Sequence, residues 1–120
     1  MVLAARSEQI LREVAGECEE LGGQPLVVTT DVTDEGAVRE LARRCVEEFG
    51  RIDVWVNNVG VMVHGSFEDV PAEVYRRVIE TNLFGQIHDA RAALHKERTG
   101  DALDRPRTPD HNESERGLRT

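Results

Sequence analysis

Polar side chains suited to binding a ligand follow three apolar stretches of the chain. Arg6 comes directly after the first stretch, Asp31 and Val32 end the second, and Asn57-Asn58-Val59-Gly60 follows the third. A guanidinium forms forked, charge-assisted bonds with phosphate, and amides supply donors and acceptors together. A glycine lets the backbone pass close to a ligand. Residues of these types can form hydrogen bonds with a small-molecule ligand.

The three apolar stretches are predicted to be β-strands, because they are short and rich in β-branched and aliphatic side chains. The segments that follow them repeat apolar residues at helical spacing. The predicted strands are residues 1–5, 26–32 and 52–56, and the predicted helices are residues 7–21, 34–50 and 71–94. Ser7 is the expected cap of the first helix, and Thr33 or Asp34 that of the second. The order β-α-β-α-β-α predicts an α/β fold with a doubly wound parallel sheet, which binds ligands at the carboxyl ends of its strands.

Composition and charge exclude several functions. The chain has 15 basic and 23 acidic side chains, a net charge of −8, so it offers no basic face for nucleic acid. No run approaches the roughly 20 apolar residues of a membrane span, so we expect a cytoplasmic protein and no membrane partner. The four histidines lack zinc-site spacing, and no metal is expected. Cys18 and Cys45 lie on apolar helix faces and are expected to be reduced core residues.

The composition changes near residue 95. Residues 96–120 mix both charges with two prolines and show no periodic apolar face. Such a segment cannot bury enough surface to offset the entropy of ordering it. We therefore predict one partial domain over residues 1–95 and a disordered charged tail over residues 96–120, with a partner-binding tail as the alternative.

The chain resembles the short-chain dehydrogenase/reductase family. The similarity spans residues 2–94 and is carried by Asp31-Val32, by Asn57-Asn58-Val59-Gly60 and by Thr81-Asn82-Leu83 on the following helix. Val59 departs from the family, which usually has Ala there. The resemblance implies a partial NAD(P)-binding, Rossmann-like domain, truncated at both ends, that lacks the first strand and the C-terminal half.

The resemblance also implies which residues contact the cofactor. Asp31 and Val32 match residues at the adenine ring, and Asn57, Asn58 and Gly60 match the loop beside the nucleotide ribose. Arg6 stands where an NAD-preferring enzyme has an acidic residue, and its guanidinium suits a 2′-phosphate, which favours NADP over NAD. Taken alone, these residues also fit a solvated Arg, a turn-forming Asp and an ordinary Asn-Asn-x-Gly turn.

Catalysis in the family, as the resemblance implies, uses a Tyr that exchanges a proton with the substrate oxygen, a Lys four residues later and an upstream Ser. Asn82 matches the Asn that supports the proton-relay water and that Lys; a surface-facing Asn is the alternative. Tyr75 and Lys96, the single tyrosine and lysine, stand 21 positions apart, about 31 Å along a helix. They cannot form the catalytic pair.

The expected function is therefore that of a fragment of an NADP-preferring oxidoreductase. The family transfers hydride between a nicotinamide and a small carbonyl compound or secondary alcohol, and its members usually form homo-oligomers. We expect this chain to be inactive, because the catalytic residues and the glycine-rich phosphate turn are absent from the sequence. The central strand of the sheet is also absent, and its loss lowers the stability of the fold. The alternatives are a non-catalytic remnant that binds a nucleotide or partner, and a truncated, non-functional reading frame.

Overall fold

A parallel β-α-β unit begins the chain. In the computed structural model, which describes the backbone of residues 1–100 and the side chains of residues 1–95, β1 (Val2–Ala5) pairs with β2 (Leu26–Thr29). The pairing is in parallel register from Val2 opposite Leu26 to Ala5 opposite Thr29, and α1 (Glu8–Glu20) connects the two strands. This arrangement confirms the predicted parallel crossover. β2 ends three residues before the predicted strand end, because Asp31 and Val32 already belong to the turn into the next helix.

The ends of the first two helices follow from local sequence signals. Ser7 caps α1 by accepting a hydrogen bond from the Ile10 N–H, and Asp34 caps α2 (Glu35–Phe49) through two N–H groups of its first turn. Gly50 ends α2 at φ 80°, in the left-handed region that glycine adopts without a steric cost. The sequence left Thr33 and Asp34 open as caps for α2, and the structure shows Asp34.

The third predicted helix is not regular. α3 (Ala72–Ile79) continues into a π-helical turn (Glu80–Gly85) and then into α4 (Gln86–Gly100), where the sequence predicted one α-helix over residues 71–94. Apolar periodicity reports the 3.6-residue repeat of an α-helix, and a π-helical turn interrupts that repeat. Such turns occur frequently at functional sites. The backbone of α4 runs past the predicted domain boundary at residue 95. Residues 101–120 of the predicted tail lie outside the described residues.

The core lies on both sides of α2. One cluster of buried side chains joins α2 to β2, and a second joins α2 to α4. Ile52 and Trp55 pack against both clusters. The buried core residues of the two clusters are Val28, Leu41, Cys45, Val38, Ala42 and Ala92. Burial raises the pKa of the Cys45 thiol, as expected for a core cysteine. Cys18 is half-buried, and the two cysteines are free.

The third predicted strand, residues 52–56, does not form in the described part of the chain. The segment is anchored by Ile52 and Trp55 on the core, while Val54 and Val56 remain 78% and 76% exposed. A strand requires a hydrogen-bonded neighbour, and in the doubly wound order this strand pairs with the first strand of the sheet rather than with β1 or β2. The described residues provide no such neighbour, so the segment follows the core without a ladder.

An open cleft of about 750 Å³ takes the place of that pairing. Its lining includes β1 on one side and residues 51–56 and 58–61 on the other. It therefore lies where the sequence predicted a gap in the sheet. Within the described residues, no helix has both the length and the apolar character needed to cross a membrane.

A buried carboxyl on α4 makes the stability of this fold depend on pH. Asp89 is 3% exposed, and burial raises its pKa above the usual 3.8, an effect that neighbouring His88 partly opposes. Ionising Asp89 therefore costs more free energy in the folded chain than in the unfolded chain. That cost fades as the pH falls through the raised pKa, and it is absent below 3.8, where folded and unfolded chains are both protonated.

We predict that Asp89→Asn raises the urea midpoint at pH 7, and that its advantage over the parent chain shrinks as the pH falls towards 3.8 and is absent below it. The control is Glu73→Gln, an exposed residue of α3, which we expect to leave the midpoint unchanged. A lower midpoint for Asp89→Asn at pH 7 would show that the carboxylate is stabilised in the folded chain.

Candidate functional site

Most of the predicted ligand-binding residues meet at one cleft. Its lining includes Arg6, Asp31, Val32, Asn58 and Gly60. Asn57 is exposed and outside the cleft lining, and Asn82 lies behind the cleft, where it contacts the loop that carries Gly60. The parallel sheet brings Arg6 and Asp31 to one edge, since the carboxyl ends of parallel strands meet there. Asn58 and Gly60 reach the cleft because residues 52–56 pack on the core through Ile52 and Trp55.

Adjacent strand ends bring Arg6 and Asp31 together. Ala5 pairs with Thr29, and the buried Thr30 extends the pairing by donating its N–H to the Ala5 carbonyl at 2.9 Å. The Thr30 hydroxyl donates to the Val28 carbonyl at 3.1 Å, which fixes the backbone just before the turn. Arg6 and Asp31 therefore leave neighbouring strands at the same edge. No carboxylate in the described part of the chain lies within ion-pair distance of the Arg6 guanidinium.

The Asp31 carboxylate is held by the turn that follows it. Its Oδ1 accepts hydrogen bonds from the Thr33 N–H at 3.0 Å and the Thr33 hydroxyl at 2.7 Å. These bonds, and more weakly the positive charge of Arg6, lower the pKa of Asp31, so it is ionised at neutral pH. Both bonds use Oδ1, and Oδ2 has no hydrogen-bond partner among the described side chains. Asp31 is thus a turn residue and a cleft residue at once.

Asn82 bridges the π-helical turn and the loop after residues 52–56. Its Oδ1 accepts the Val61 N–H at 2.8 Å, and its Nδ2 donates to the Val61 carbonyl at 2.8 Å. The side chain is half-buried rather than directed to the surface. The oxygen and the nitrogen of the Asn82 amide both bond to the backbone of Val61, as a paired residue does in a β-sheet. These two hydrogen bonds fix the loop that contains Asn58 and Gly60.

Two residues of the same helical segment hold Val32. The His88 Nδ1 lies 2.9 Å from the Val32 carbonyl oxygen. Gly85 is buried against the Val32 side chain, and a Cβ atom at residue 85 would lie 2.7 Å from Val32 Cγ2. The sequence analysis considered His88 only as one of four histidines that lack zinc-site spacing. Asn82 and His88, six positions apart, lie on different faces of a regular helix, so their spacing gave no reason to link them.

The described part of the site lacks a proton donor of the expected kind. Tyr75 is outside the cleft lining, and its ring packs on Phe67 at a centroid distance of 5.4 Å. The side chain of Lys96 lies outside the described residues. Among the side chains that are described, no group of three or more His, Cys, Asp or Glu residues is arranged to bind a metal.

Comparison with known proteins identifies the family. A family model described as short chain dehydrogenase matches residues 1–102. The chain belongs to the short-chain dehydrogenase family. An uncharacterised oxidoreductase of Bacillus subtilis, YxnA, is 39% identical over 100 residues, which cover 83% of this chain and 28% of YxnA.

Solved structures of short-chain dehydrogenases share the fold. A short-chain type dehydrogenase/reductase from Mycobacterium marinum has a TM-score of 0.76 at 34% identity, covering 79% of this chain and 38% of that one. A variant of actinorhodin polyketide ketoreductase with NADPH has a TM-score of 0.76 at 31% identity, covering 85% of this chain and 38% of that one. The α/β Rossmann-like fold predicted from the sequence is confirmed. This short-chain dehydrogenase sequence spans less than half the length of these proteins.

The Asn82 contact is expected to stabilise the fold measurably. Asn82→Ala removes two hydrogen bonds and leaves the Val61 N–H and carbonyl without partners, so we predict a loss of about 2 kcal/mol in the free energy of unfolding. Asn82→Asp is the matched comparison, because it keeps an acceptor for the N–H and places a second oxygen against the Val61 carbonyl. Urea denaturation measures both variants. A loss below about 0.5 kcal/mol for Asn82→Ala would show that the contact contributes little.

Gly85 is expected to tolerate no side chain. Gly85→Ala places a methyl group against Val32, so we predict a loss of about 1–3 kcal/mol from overpacking. Gly16→Ala is the control, since a Cβ atom there meets nothing within 4 Å and alanine favours the helix by about 1 kcal/mol. Urea denaturation should therefore move the two midpoints in opposite directions. A stabilised Gly85→Ala chain would contradict the close packing.

Proposed function

We propose that this chain forms the adenosine side of the cofactor site of an NAD(P)-dependent oxidoreductase and prefers NADP. The complete reaction is hydride transfer between the nicotinamide and a small carbonyl compound or secondary alcohol. The observation that carries the proposal is the cleft at the strand ends, whose lining includes Arg6, Asp31, Val32, Asn58 and Gly60. The structural neighbour that contains NADPH supports the choice of cofactor.

The residues of the cleft fit the adenine, ribose and 2′-phosphate of NADP. Part of the cleft is the gap in the sheet, so the fit rests on the residues that follow β1, β2 and residues 52–56 and not on the cleft volume. Val32 offers apolar surface to the adenine ring. Asp31 carries an ionised carboxylate suited to an amino or hydroxyl donor, and Arg6 a guanidinium suited to a phosphate.

The described residues do not fit the pyrophosphate equally well. A pyrophosphate is usually bound at a helix N-terminus that follows a glycine-rich turn. The N-terminus of α1 instead follows Arg6-Ser7 and carries Glu8 in its first turn, where a carboxylate repels phosphate. We therefore expect the isolated chain to bind the cofactor weakly, with a Kd of about 1 mM, or −4 kcal/mol.

The described side chains hold parts of the cleft in position and do not take part in the chemical step. A bound nicotinamide supplies the hydride chemistry, while Asn82 holds the loop of Gly60 and Val61 at the cleft. Tyr75 packs on Phe67 and is not among the residues that line the cleft. We therefore expect the chain by itself not to oxidise NADPH, and we assign substrate contacts and the homo-oligomer interface to the family by analogy.

A binding function without catalysis is the second candidate. It is favoured by the same position of Tyr75, because the cleft residues can hold the adenosine side without any proton donor. The two candidates predict the same cofactor affinity. They differ in whether a longer form of the protein reduces aldehydes or ketones.

Arg6 is the residue that tests the NADP preference. We predict that Arg6→Ala weakens NADPH binding about tenfold and leaves NADH binding within about twofold, since a hydrogen bond to a charged group contributes about 1.5–3 kcal/mol. Ligand-observed NMR suits the millimolar range. Arg77→Ala is the control, because Arg77 is an exposed arginine of α3 and is not among the residues that line the cleft. Equal affinities of the parent chain for NADPH and NADH would contradict the preference.

A further inference from the structure

His88 belongs to the same helical segment as Asn82 and contacts the turn after β2. It lies on α4, outside the cleft lining, and is half-buried. Its Nδ1 approaches the Val32 carbonyl oxygen at 2.9 Å across 56 positions of sequence. A carbonyl accepts and cannot donate, so this distance requires a proton on Nδ1.

The contact reaches the residue that forms one wall of the cleft. Val32 lines the cleft and directly follows Asp31, whose carboxylate is fixed by Thr33. Val32 is fixed from the opposite side, with its side chain against Gly85 and its carbonyl at His88. The turn after β2 is thus held from within by Thr33 and from α4 by His88.

We propose that His88 is a positioning residue of the nucleotide site, which acts through the Val32 carbonyl and requires the Nδ1–H form of the imidazole. This inference rests on the proposed cofactor function. Asn82 holds the loop after residues 52–56, and His88 holds the turn after β2. One helical segment therefore sets the separation of the two loops between which the nucleotide binds.

A purely structural histidine would stabilise the fold without affecting ligand affinity beyond the loss of folded chain. The two roles are separated by substitutions that move the donor. In His88→Asn the side-chain amide nitrogen can occupy the position of Nδ1, whereas in His88→Gln the amide reaches the position of Nε2. His88→Ala has no donor. A positioning role predicts that Asn replaces His and that Gln does not.

The experiment uses the full 120-residue chain labelled with ¹⁵N and titrated with NADPH. Imidazole nitrogen shifts of the parent chain should show a proton on Nδ1. We expect His88→Ala and His88→Gln to weaken NADPH binding about fivefold and to shift the Val32 and Thr33 amide signals, while His88→Asn stays within about twofold of the parent.

Ala15→Gly is the control for stability alone. Ala15 is buried on α1 and outside the cleft lining, and glycine lowers helix stability there without altering a cleft contact. Affinities are compared per folded chain, and Ala15→Gly should retain the parent value.

Three results would overturn the proposal: an Nε2–H tautomer in the parent chain, parent-like affinity in His88→Ala, or equal weakening in Ala15→Gly. Absence of NADPH-induced shifts in the parent chain would instead defeat the proposed cofactor function, and the role of His88 at the nucleotide with it. The tautomer and the Val32 signal would then still report whether His88 holds the turn.

Discussion

The reciprocal hydrogen bonds between the Asn82 amide and Val61 are the contact on which the arrangement of the cleft depends. Residues 52–56 have no ladder of their own in the described chain, so sheet pairing does not fix the loop that follows them. The loop is fixed instead from the side by a helix. A side-chain amide can do this because it presents a donor and an acceptor in the same geometry as a peptide group.

The helical segment that contains the π-helical turn holds both loops of the cleft in position. Asn82 and Gly85 both belong to the turn, and His88 follows it by one turn of α4. Together they contact the loop at Val61, which follows residues 52–56, and the turn at Val32, which follows β2. α4 is in turn packed on α2 through Ala92, Val38 and Ala42. The positions of the loops are thereby tied to the core rather than to local turn preferences.

Local signals in the sequence predicted most of the fold, and long-range contacts account for what they missed. Apolar spacing located α1 and α2, and the pair Thr33 and Asp34 together with Gly50 marked the ends of α2, because caps depend on a few neighbouring residues. Residues 52–56 have strand composition, yet a strand also needs a partner, which composition does not report. The π-helical turn and the contact of His88 with Val32 depend on tertiary packing, and apolar periodicity carries no signal for either. The roles of the predicted cofactor residues stay predictions.

Amide hydrogen exchange at Val61 in the parent chain tests the central claim most directly. If Asn82 holds the loop, the Val61 N–H is protected, and we predict exchange at least about tenfold slower than at exposed His64 in the same segment, after correction for intrinsic rates. Exchange at the same corrected rate as His64 would show that the loop is not held. It would contradict the account in which one helical segment assembles the cleft.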